Sequence, residues 1–208
     1  MFNFELPVPL AQYIVSQAIG VFLLVSIIIA FQAKNPKKTL FVLFIANILG
    51  FTAALLLLNY AVAALAAVTA VKNLVFFFMV GKKISFAKSF SILMLINFAN
   101  VLAVSLVWIF LTPIAWVMVF DALLLVTQIF TNYASWKAHP HLIRIGATFY
   151  GVFILGNSVL FFNLFGIIVA IFQLSSITVF YIRLSMKKKG ARIEGEEKET
   201  HEINLRRT

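Results

Sequence analysis

One stretch of this chain places polar chemistry where it is costly. Ala66 to Phe78 reads AAVTAVKNLVFFF, apolar except for Thr69, Lys72 and Asn73. In a helix these three fall at i, i+3 and i+4, on one face. A lysine at bilayer depth costs about 2.5–3.5 kcal/mol on insertion scales, so another part of the protein must satisfy it. Lys72 lies roughly 12 Å from the nearer end of its apolar run. The side chain reaches about half that distance, so snorkelling alone does not hydrate it. With Asn73 it offers a contact for an anionic or polar solute. The competing reading is a structural ion pair or a hydrogen-bonded clamp.

Asp121 is the second intramembrane charge, and the only acidic residue between Glu5 and Glu194. Gln128 and Asn132 follow it at i+7 and i+11, on the same helical face. A carboxylate there can couple solute movement to protons, or simply neutralise Lys72. The two charges are opposite in sign and differ in expected depth by roughly 7 Å. A lysine stem plus one water, or a tilted helix, would let them pair. Gln17, Asn157 and Ser176 complete the candidate substrate contacts. Gln173 shares a face with Ser176, and Asn97 and Asn100 share one on the fourth apolar run. These four also suit interhelical hydrogen bonding. His139 and His141 flank Pro140 without a carboxylate or thiolate partner, a poor metal site. No metal or cofactor is expected. No nucleophile elbow, His-Glu-x-x-His motif or acidic pair is present, and no enzymatic activity is expected.

The elements that must hold these residues follow from composition. Hydrophobic residues make up 62% and charged residues 12% of 208, against about 25% charged in soluble domains. That excludes an ordinary soluble fold. The net charge of +10 does not point to nucleic acid, because the basic residues of the body cluster at the ends of apolar runs. The partner implied is the lipid bilayer, with a small polar or anionic solute. Oligomeric state has no signature here.

Spans of about 20 residues are expected at about 11–31, 39–58, 61–80, 90–111, 114–133, 145–163 and 166–184. The breaks fall at Asn59-Tyr60, at Thr112-Pro113 and near Asn163 to Gly166. Pro7 and Pro9 make an extended lead-in, and AKNPKK (33–38) reads as a polar loop. Trp108, Trp116 and Trp136 sit near span ends, as interfacial anchors do. Residues 185–208 mix both signs without an apolar face and read as a disordered cytoplasmic tail.

Loops after the odd-numbered spans hold every Lys and Arg except Lys72 and Arg183. The positive-inside rule then puts the N-terminus outside and the C-terminus in the cytoplasm. A shift of 104 residues superposes the halves: Asn59 on Asn163, Val75-Phe76 on Val179-Phe180, Lys83 on Lys187, Gln17 on Asp121 and Lys72 on Ser176. The expected fold is an all-α integral membrane protein of seven transmembrane helices in a 3+1+3 parallel-repeat arrangement. Repeat one covers about 11–83, a linker span about 90–111, and repeat two about 114–184. Solute sites of such transporters lie near the midplane, at the repeat interface.

SQAIGVFLLVSIIIAFQ, a KK-led second span, TAVKNLV in the third and SSITVFYIRL before a basic tail together resemble the YgjV family of bacterial inner-membrane proteins. The likeness covers nearly the whole chain and implies a bacterial cytoplasmic membrane. The plan is also similar to that of SWEET and other PQ-loop transporters, although this chain has no Pro-Gln dipeptide. The function expected is movement of a small polar solute between two three-helix bundles. The alternative is a non-transporting structural or regulatory membrane protein.

Overall fold

The computed structural model describes residues 8–32, 35–111, 115–136, 140–175, 178, 179, 181, 182 and 186. Within them the chain is helical: α1 Leu10–Gln32, α2 Pro36–Leu56, α3 Tyr60–Met79, α4 Phe86–Leu111, α5 Ala115–Trp136 and α6 Pro140–Leu160, then α7 Leu164–Ser175. The first five are long and apolar enough to cross a membrane; the apolar stretches found in α6 and α7, Thr148–Leu160 and Leu164–Ser175, are shorter. The expected turn at Thr112-Pro113, Pro7, His139, Arg183, Ser176 and, apart from Met186, the tail 185–208 lie outside the described residues, as does the side chain of His141.

Burial is inverted relative to a soluble protein. Phe22, Phe98, Ile109 and Phe110 are all more than 60% exposed, whereas Asn100, Asn132, Asn157 and Asp121 are at most 1% exposed. Large apolar side chains cover the outside of the helices, while polar groups share the interior with alanines and a few larger apolar residues, an arrangement suited to a hydrocarbon solvent. The fold is compatible with a multi-pass membrane protein.

Helix starts follow local chemistry. The AKNPKK stretch is not all loop, as expected from its polarity. Asn35 accepts a 2.9 Å hydrogen bond from Lys37 N, Pro36 takes the first helical position, and α2 begins there. Proline fits that position because its missing N–H would be unpaired anyway. Similarly α4 starts at Phe86 rather than near 90, taking Lys88 into its first turn.

The α2–α3 and α6–α7 turns are built alike. Leu58 and Phe162 adopt left-handed φ values of 57° and 50°. Asn59 N and Leu58 N donate to Ala54 O and Leu55 O at 2.9 and 3.0 Å; Asn163 N and Phe162 N donate to Ser158 O and Val159 O at 2.8 and 3.2 Å. This is a Schellman closure of the outgoing helix. Each asparagine then caps the next helix, Asn59 Oδ1 accepting from Val62 N and Asn163 Oδ1 from Gly166 N. Both ends of the break are thus satisfied without solvent. Left-handed backbone at a residue with a Cβ costs roughly 1–2 kcal/mol, so the hydrogen bonds must over-determine it.

These turns define one end of the molecule, the turn end. The exposed Lys37, Lys38, Lys82, Lys83 and Lys88 mark the other, the basic end. Around the molecule α1 packs on α2, α2 on α3 and α5 on α6, while α4 lies against both α3 and α5. Tyr13 Oη donates to Phe162 O at 3.0 Å and Phe165 N donates to Gln17 Oε1 at 3.2 Å, which brings α1 against the start of α7.

A polar seam between three helices as the candidate functional site

The seam begins with spacing. Along α4, Asn97, Asn100, Val104 and Trp108 recur at three, four and four residues. Along α5, Asp121, Leu124, Gln128 and Asn132 do the same. Such spacing keeps each set on one face. The helices run antiparallel, so the two faces meet as a ladder read in opposite directions. Two hydrogen bonds pin its ends: Trp108 Nε1 donates to Asp121 Oδ2 at 3.4 Å, and Asn132 Nδ2 donates to Asn97 Oδ1 at 2.9 Å. Helix α3 closes the third side with Leu65, Thr69 and Lys72.

At the basic side of the ladder, Lys72 Nζ donates to Asn132 Oδ1 at 3.0 Å. Gln128 Nε2 donates to the same oxygen at 3.3 Å and to Thr69 Oγ1 at 2.9 Å. Asn132 is the hub, receiving two donors and giving one bond from a position with no solvent exposure. Lys72 has three N–H donors. Its single hydrogen bond among the described residues goes to a neutral amide. Asn73 is buried beside it in the chain and makes no side-chain hydrogen bond among the described residues.

Above this network lies a dry layer of Leu65, Val104 and Leu124, each at most 3% exposed, with Val62, Tyr150, Phe153 and Ile154 packed around it. Beyond it, towards the turn end, stands Asp121. Its Oδ2 accepts from Trp108, while its buried Oδ1 has no partner among the described residues.

The expected pairing of Lys72 with Asp121 is therefore replaced by separate partners. Lys72 meets α5 at Asn132, eleven residues from Asp121. That is roughly 16 Å of helix, beyond the reach of a lysine stem and one water. Trp108, expected as an interfacial anchor, instead turns its indole N–H inward to Asp121. Trp116 does point outward, 74% exposed.

Gln17 and Asn157 lie apart from Lys72, nearer the turn end. Gln17 holds the first turn of α7 through Phe165 N, and its buried Nε2 has no partner among the described residues. Asn157 Oδ1 accepts from Asn59 Nδ2, tying α6 to the α2–α3 turn. The sequence placed Asn132 on the right face without singling it out, and Asn97, expected as an interhelical hydrogen-bonding group together with Asn100, does bond across to α5. The shared three-four-four spacing of α4 and α5 was the signal that joins them.

No protein-family model matches the chain, and no curated protein or solved structure is significantly similar to it.

Proposed function

We propose that this protein moves a small polar or anionic solute across a membrane, with Lys72 as the contact for the solute's negative charge. One observation carries the reading: Lys72 is a buried cation whose hydrogen bond among the described residues is to the Asn132 amide oxygen, not to a carboxylate. An uncompensated charge in a low-dielectric interior favours a counter-ion from outside. The matched turns 104 residues apart support a 3+1+3 arrangement of seven spans, α1–α3 and α5–α7 as halves and α4 as linker. The α3–α5 contact is then one of the places where the halves meet, and parallel-repeat transporters hold solute at such an interface. The sequence motifs support a place in a bacterial inner membrane beside the YgjV-type proteins. The grouping of lysines at one end supports a cytoplasmic basic end.

The test is uptake of small organic anions into liposomes containing the purified protein. Wild type should accumulate at least one of them; Lys72→Met should lose uptake, and Lys72→Arg should keep part of it. Equal rates for wild type and Lys72→Met would end the proposal. The interlocking of Thr69, Asn97, Gln128 and Asn132 around Lys72 favours a second reading, a purely structural clamp, and equal rates would favour that one. Orientation has its own check. Tyr60 is half-exposed at the turn end and Ser85 is exposed at the basic end, and the chain has no cysteine. Tyr60→Cys should label from outside the cell and Ser85→Cys only after permeabilisation; the opposite pattern would reverse the orientation.

A further inference from the structure

One amide in the seam is used by nothing around it. Asn100 has no solvent exposure, yet neither Nδ2 nor Oδ1 has a hydrogen-bond partner among the described residues. Buried amides are nearly always paired, because leaving one bare forfeits its hydration. The ladder places Asn100 between the Asn97–Asn132 bond and the Val104–Leu124 contact, level with Gln128 and Thr69. It is about one helical turn, roughly 5 Å, from the level of Lys72 and Asn132. A buried cation with spare donors and a buried amide with both functions open therefore lie one turn apart in the same seam.

We infer that Lys72 and Asn100 are the two ends of one ligand subsite, and that its ligand is a small monocarboxylate with a hydroxyl on the adjacent carbon. This rests on the reading of Lys72 as a solute contact. The ammonium takes the carboxylate, a charge-assisted bond stronger than the one it makes to Asn132. Asn100 supplies one donor and one acceptor, the complement of a hydroxyl, which accepts and donates. One buried cation suits one negative charge, since Lys72 is the only basic residue buried among the described residues. A zwitterionic amino acid fits less well. Its ammonium would find only amide and hydroxyl oxygens here, because Asp121 stands beyond the dry layer of Leu65, Val104 and Leu124. That layer also closes the subsite on the turn side, so the ligand enters from the basic end. There the exposed Lys37, Lys38, Lys82, Lys83 and Lys88 raise the local concentration of anions.

The experiment is calorimetric titration of the purified full-length protein in nanodiscs with four probes: lactate, propionate, malonate and alanine. Wild type should bind lactate about tenfold or more tightly than propionate, since the hydroxyl adds paired hydrogen bonds that propionate leaves unmade. Malonate and alanine should bind more weakly than lactate. In Asn100→Leu, which removes the amide at similar volume, lactate and propionate should bind equally; Asn100→Ala repeats the comparison should the leucine variant misfold. Lys72→Met should lose both. Equal binding of lactate and propionate by wild type, or a lactate preference that survives loss of the Asn100 amide, would overturn the subsite while leaving Lys72 as a carboxylate contact. Malonate or alanine binding most tightly would overturn the ligand class. Failure of all four to bind wild type would overturn Lys72 as a carboxylate contact and the subsite with it.

Discussion

Asn132→Leu should destabilise the protein by about 3 kcal/mol, among the largest effects of any single side-chain truncation in the seam. The substitution removes three bonds at once: it strands the Lys72 ammonium and Asn97 Oδ1, and it leaves Gln128 Nε2 with its bond to Thr69 Oγ1. A neutral interhelical hydrogen bond in a membrane is worth about 0.6 kcal/mol, so the bond to Asn97, with the weaker one to Gln128 within α5, accounts for the smaller share. The greater part, about 2 kcal/mol, is the buried ammonium left without an acceptor. Lys72→Met combined with Asn132→Leu should therefore recover most of the loss. A double-mutant cycle followed by unfolding in bicelles should give a coupling near 2 kcal/mol for this pair. Lys72→Met and Asp121→Leu should be additive, because the two residues have different partners. Coupling between Lys72 and Asp121, with none between Lys72 and Asn132, would contradict the assignment.

The contact between α1 and α7 gives the second large effect. A Cβ added at Gly20 would stand 2.5 Å from Phe165 Cβ and 2.9 Å from its Cγ. Cβ is fixed to the backbone, and that backbone is held by Phe165 N donating to Gln17 Oε1. The phenyl ring cannot swing away to make room; the helices must part. Gly20→Val should cost about 2–3 kcal/mol and weaken the bonds that Tyr13 and Gln17 make to the α6–α7 turn and α7. Gly50→Ala is the control. Its nearest neighbours would be the Leu23 methyls at 3.9 and 4.0 Å, ordinary contact distances, so thermal unfolding should barely change. A tolerated Gly20→Val would mean that α7 does not rest against α1 in the membrane.

Apolar run length made the helices readable from residue types alone. The break at Asn59-Tyr60 was legible too, since asparagine favours helix caps. The start of α2 was not, because the lysines of AKNPKK outweighed the cap-and-proline signal of Asn35 and Pro36. The seam was legible only in pieces. Lys72 and Asp121 stood out because charge is rare in hydrocarbon, and their opposite signs suggested a pair. What decided their partners was the vertical register of α3 and α4 against α5, a property of packing that no single helix encodes. Asn132 and Asn100 were hidden for a related reason. A buried asparagine that serves as a hub and one left bare look the same until the neighbouring helix is in place.

The dry layer also has an electrical consequence. Leu65, Val104 and Leu124 separate two polar regions of the same seam with a few ångströms of nearly unpolarisable material. A membrane voltage drops most steeply where the dielectric response is weakest, so if water reaches the polar regions on both sides during transport, these three side chains would concentrate the field. Any charge carried past them senses a large share of the full potential, about 2.3 kcal/mol per elementary charge for each 100 mV. The sign of that work is opposite for anions and cations. On the proposed transport function, the membrane voltage of a resting cell would bias the direction of net flow across Leu65, Val104 and Leu124 before any concentration gradient is considered.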